Sequence, residues 1–107
     1  MKKQIFKSYA EKISTLYDIK LSSLFKKNKT REIVEARHML YYLCKERNMK
    51  IIQIKSFMQE QGYKTAHTTI MYGIKVVEQN KKIDQDYQEF INNINNELQP
   101  TRCFQSS

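Results

Sequence analysis

Spacing is what most constrains this chain. In stretch after stretch, apolar residues return every three or four positions, the repeat of one face of an α-helix. Ile5, Phe6, Tyr9, Ile13, Leu16 and Tyr17 do so over 3–17. Ile33, Ala36, Leu40, Leu43 and Cys44 do so over 31–47, with Met39 and Tyr42 beside them. Ile51, Ile54, Phe57 and Met58 mark a shorter helix, and Leu21, Leu24 and Phe25 a single turn. Ala66, Ile70, Gly73, Ile74 and Val77 form the stripe of a helix over 65–80, with Thr65 placed to cap it. Tyr87, Phe90, Ile91, Ile94 and Leu98 form a last stripe over 84–98. Only two glycines and one proline interrupt 107 residues. Long helices on short links follow: an all-α, compact multi-helix domain.

The length suits one domain over 1–99, followed by a tail over 100–107 that begins at Pro100. No apolar run approaches the roughly 18 residues of a membrane helix, and the basic N-terminus leads into charge rather than a signal core. Cys44 and Cys103 lack any disulfide or metal-ligand spacing, which suits a reducing cytoplasm. The net charge of +8 is unevenly placed. Residues 1–31 carry nine Lys/Arg against two acids, 32–82 nine against five, and 83–107 one against four. A basic body with an acidic end suits nucleic acid as a partner, although a Lys-rich solvated surface would have the same composition.

Two stretches are polar where packing would not ask for it. The leading edge of the 65–80 helix carries His67, Thr68, Thr69, Met71, Tyr72 and Lys75 outside its apolar stripe. Hydroxyls, an imidazole and a phenol are poor core material but meet base edges and phosphate oxygens well. The other stretch is Lys26-Lys27-Asn28-Lys29-Thr30-Arg31, four cations in six residues with no apolar member. It reads either as a solvated linker or as a loop that follows phosphates or a narrow minor groove. Gly62 ends the preceding helix, so a helix, a Gly-containing link and a polar-edged helix succeed one another as in a helix-turn-helix. His38 reads as a surface or partly satisfied histidine, and Cys44 as a small core residue.

These residues resemble a known family. Ala66-His67-Thr68-Thr69-Ile70-Met71-Tyr72-Gly73 is similar to the signature of the C-terminal DNA-binding domain of bacterial DnaA initiators, an acidic residue, His-Thr-Thr, an aliphatic, one further residue and His-Ala. Tyr17 to Phe25 followed by Lys26 to Arg31 resembles that family's short helix and basic loop. Ala36-Arg37-His38-Met39-Leu40 through Cys44-Lys45-Glu46 resembles its next helix, and the order holds over roughly 13–98. The resemblance implies an all-helical domain of the Trp-repressor and DnaA C-terminal type that binds double-stranded DNA at short AT-containing boxes. It implies major-groove contacts by Ala66, His67, Thr68, Thr69 and Tyr72, and a minor-groove arm of Lys29 and Arg31. Phosphate contacts are implied for Lys27, Arg37, Lys45, Lys50 and Lys75.

Four departures stand out. Ala66 replaces the family's acid, so a carboxylate that would accept from cytosine is missing, while the alanine methyl suits thymine. The link from Met58 to Thr65 is longer than the family's, and Lys29 stands where it has Arg. No Gly-x-x-x-x-Gly-Lys-Ser/Thr loop is present, and 107 residues leave no room for an ATPase. The expectation is therefore a non-enzymatic, cofactor-free module of the nucleoid acting in replication or transcription control. A regulator, an origin-site competitor and a phage or mobile-element protein all fit, with replication proteins as further partners and the oligomeric state open. The competing reading is a protein-interaction module that kept the fold and lost DNA, using Tyr9, Tyr41 or Tyr72 as its surface.

Overall fold

The computed structural model describes residues 2–27 and 30–97. Among these the chain is six helices with no strand: α1 Lys2–Leu16, α2 Leu21–Leu24, α3 Arg31–Glu46, α4 Ile51–Glu60, α5 His67–Ile83 and α6 Gln85–Glu97. The expected tail and the expected arm residue Lys29 lie outside the described residues.

α3 is the axle. From Met39 to Cys44 every residue is buried, because α1, α2, α4 and α5 each pack against this helix. The expected stripe is therefore only part of what α3 buries; a helix walled on all sides hides its flanks too. α1 contributes Phe6, Tyr9, Ala10 and Ile13, while α5 contributes Ile70, Gly73, Ile74 and Val77. Each such aliphatic or aromatic side chain taken out of water stabilises the fold by about 1.5–3 kcal/mol. Leu16, placed by its spacing on the α1 stripe, is 48 % exposed at the end of its helix. α6 closes the core with Ile91 and Ile94 and sets Phe90 against Tyr17, ring centroids 5.2 Å apart. The Cys44 thiol is fully buried in this core, and burial pushes its pKa up, as a packing role requires.

Three helices end by the same device. After α1, α3 and α4 the chain turns through a left-handed residue: Asp18 (φ 56°), Asn48 (φ 65°) and Gly62 (φ 97°). The next residue's amide then donates back across the last turn, Ile19 to Ser14 O, Met49 to Cys44 O and Tyr63 to Met58 O, at 2.9, 3.2 and 3.0 Å. Gly62 was readable as such a stop. Asp18 and Asn48 are left-handed despite carrying side chains, which short polar residues tolerate best.

α5 starts two residues later than its spacing suggested. Its N-cap is Ala66, with no side-chain cap hydrogen bond, so Thr65 does not cap it. Thr65 instead lies beside the Tyr41 phenol of α3, which it influences electrostatically. Ala66 is exposed and stands outside the buried stripe. At its far end α5 runs on to Ile83, and Asp84 alone links it to α6, its Oδ1 accepting from Asp86 N at 3.0 Å.

Candidate nucleic-acid interface

α5 has one face for the protein and one for solvent. Ile70, Gly73, Ile74 and Val77 are buried, while His67, Thr68, Thr69, Met71, Tyr72 and Lys75 are exposed. Gly73 is where α5 comes closest to α3. A Cβ there would lie 2.7 Å from His38 Cδ2 and 3.0 Å from Tyr41 Cδ2. With no side chain in the way, the α5 backbone packs closely on α3 while the polar residues of its first two turns stay exposed. Tyr72 is 62 % exposed, and its ring meets His38 edge-on at 5.9 Å.

The basic loop reaches the same surface. Lys27 from the loop, Thr69 from α5, Arg37, His38 and Tyr41 from α3, and Tyr63 from the α4–α5 link rim one depression of about 510 Å³. One cation of the loop and one hydroxyl of the α5 leading edge thus share a rim. Arg31 opens α3 with its side chain 91 % exposed, 3.9 Å from Glu35. Such an open contact costs little to exchange for another anion. Lys45 and Lys50 are exposed near the α3–α4 turn, and Lys75 is exposed on the third turn of α5.

Arg37 is a correction. Expected at a phosphate, it is 5 % exposed. Its Nε donates to Leu24 O at 2.8 Å, its Nη2 donates to Lys26 O, and its guanidinium stacks over the Tyr63 ring, 4.4 Å from the centroid. α2 ends and the loop begins at those two carbonyls, so the fold uses this cation inside itself. The tyrosine surface of the competing reading is corrected too, because Tyr9 and Tyr41 are 0 % and 1 % exposed and only Tyr72 is open.

Spacing alone did not single out His38, Tyr41 and Tyr63 for this surface. His38 is half-buried beside Arg37, and burial first, then the neighbouring positive charge, hold its pKa below the usual histidine value. It is therefore neutral at pH 7, which suits a ring packed against Tyr72. Tyr41 is pushed up to about 12 chiefly by burial. The available signal was the Arg37-His38 pair itself, two polar residues in the middle of a mostly buried helix.

Residues 8–77 match the family described as the bacterial dnaA protein helix-turn-helix. The chromosomal replication initiator protein DnaA of Rickettsia akari (strain Hartford) is 33 % identical over 82 residues, which are 77 % of this chain and 17 % of that protein. The chain thus spans about a sixth of the length of the curated relative that it matches. Among the described residues no helix is long and apolar enough to cross a membrane.

Proposed function

From its membership of the bacterial DnaA helix-turn-helix family, we propose that this chain is a sequence-preferring double-stranded DNA-binding module acting in the control of replication. α5 lies in the major groove. Ala66, His67, Thr68, Thr69 and Tyr72 face the bases, and the loop over 26–31 meets the adjacent minor groove and phosphates through Lys27, Lys29 and Arg31. The observation that carries this reading is the shared rim: Lys27 and Thr69 border one depression, and the polar edge of α5 is open while its back is buried. Lys45, Lys50 and Lys75 are exposed cations for further phosphates.

The chemistry at the bases follows from the side chains. Thr68 and Thr69 bring hydroxyls and methyls, suited to base edges and to the thymine methyl. Ala66 brings only a methyl, which shifts preference toward thymine where a carboxylate would accept from cytosine. The location this implies is the nucleoid. The similarity to a replication initiator supports a role at replication origins, as a regulator or as a competitor for initiator sites.

Selection of duplexes from a random pool by the purified chain tests the reading. Enrichment of a short AT-containing sequence is expected, with affinity falling steeply as salt rises. Removing a phosphate contact should weaken binding to all sequences alike, and removing a base contact should relax choice at one position by about 1–3 kcal/mol. Absence of any enrichment together with salt-insensitive binding overturns it.

A further inference from the structure

Among the described residues, Arg37 is the buried charged side chain. A guanidinium is a rigid fork of donors with a flat face, so it can hold two carbonyls and a ring at once. Arg37 does so here, with Leu24 O and Lys26 O on its edge and Tyr63 against its face. Those partners belong to different segments. The carbonyls are the end of α2 and the start of the basic loop. Tyr63 lies in the link that feeds α5, held by its amide bond to Met58 O at 3.0 Å. The neighbouring α3 residues extend the same contact surface. His38 meets Tyr72 and abuts Gly73, and Tyr41 also abuts Gly73 and lines the same depression as Tyr63. One face of α3 therefore touches both segments that border the shared rim.

We propose that Arg37 is a positioning residue that sets the distance between the basic loop and the reading helix, so that Lys27 and the α5 edge engage one duplex together. The inference rests on the duplex-binding reading above and adds to it the residue that makes the two contacts a single unit. An ammonium cannot replace it, because a point charge has neither the fork nor the flat face. A core-filling role would leave the loop and the helix independent of one another. A positioning role makes their contributions interdependent.

The test uses the full chain and the duplex that the wild type enriches most from the random pool. Dissociation constants across a salt series are compared for wild type, Arg37→Met, Arg37→Lys, Lys27→Gln and the double variant Arg37→Met/Lys27→Gln. Amide hydrogen exchange is followed without DNA. Arg37→Met is expected to weaken binding about tenfold, the size of one lost contact in such interfaces. The double variant is expected to bind no more weakly than Arg37→Met alone, because the unmoored loop no longer delivers Lys27. Arg37→Lys is expected to resemble Arg37→Met. Exchange at Phe25 and Lys26 should quicken in both Arg37 variants while Leu40 stays protected.

Wild-type binding by Arg37→Lys, independent multiplying losses in the double variant, or unchanged exchange at Phe25 and Lys26 each overturns the inference. If Arg37→Met does not fold, Tyr63→Leu replaces it in the cycle, since it removes the ring and leaves both carbonyl bonds. A smaller Lys27→Gln effect in that background supports positioning, and an undiminished one overturns it. A wild type that enriches no duplex and binds none defeats the proposed function and this inference with it. A binding wild type with independent losses defeats this inference alone.

Discussion

α3 and α5 are packed together and nearly equal in length, 16 and 17 residues, yet they bury themselves in opposite ways. α3 is enclosed from Met39 to Cys44, and even its Arg37 is taken into the interior. α5 hides one stripe of four residues and leaves its leading turns open. The difference shows that a polar residue's task is set by what surrounds its helix. On the enclosed helix, Arg37 and Tyr41 bind other parts of the chain. On the half-open helix, His67, Thr68 and Thr69 are exposed to solvent.

The sharpest way to break that contrast is to truncate both helices. Leu40→Ala in α3 removes a fully buried side chain, and a loss of about 2–5 kcal/mol in urea unfolding is expected. Thr68→Ala in α5 should shift stability by no more than about 0.5 kcal/mol, since the residue is exposed. Similar losses for the two would erase the distinction.

Gly73→Ala probes the line where the helices meet. The added methyl would have to displace the His38 ring at 2.7 Å and the buried Tyr41 ring at 3.0 Å. Overpacking costs about 1–3 kcal/mol, while alanine in a helix gains about 1 kcal/mol over glycine. A net loss of about 1 kcal/mol is expected, falling when His38 is also changed to Ala. A stabilised Gly73→Ala would mean that the two helices do not meet so closely.

pH sharpens the same boundary. His38 has its pKa lowered in the folded state by burial and by Arg37. The unfolded chain therefore takes up the proton first. The stability tied to neutral His38 is fully present above the unfolded value of about 6.5 and is lost as pH falls below it. Thermal melts of wild type and His38→Gln should show the wild type losing ground to the variant between pH 7.5 and 5.5. Parallel curves would place His38 in open solvent.

The smallest effect concerns the turn that leaves α3. Asn48 is left-handed at φ 65°, a conformation glycine adopts freely. Asn48→Gly should change stability by only a few tenths of a kcal/mol in either direction, because glycine also gains freedom in the unfolded chain. A large loss would show that the Asn48 side chain holds the α3–α4 turn.

Most of the architecture was legible because helical spacing is a local property. The buried stripe of α5 from Ile70 to Val77 could be read from residue order alone, whereas the spacing stopped that helix at 80 and it runs on to Ile83. Positions whose fate depends on a distant partner could not. Thr65 looked like a cap, yet Ala66 takes the N-cap position and Thr65 lies beside the Tyr41 phenol, 24 positions earlier in the chain. Leu16 fitted its stripe, but the helix ends there and nothing covers it to the depth of Ile13. Arg37 looked like one more surface cation because its two carbonyl partners come from backbone, which has no sequence signature. The open edge of α5 was legible for the converse reason: exposed residues need no distant partner to be identified.

The central claim is that α3 holds and α5 reads. It is tested most directly by replacing His67, Thr68 and Thr69 together with alanine, then measuring both the melting curve and binding to the duplex that the wild type selects. The account predicts an unchanged melting transition and loss of discrimination between that duplex and a scrambled one. A collapsed melting transition, or discrimination that survives the triple change, would contradict it.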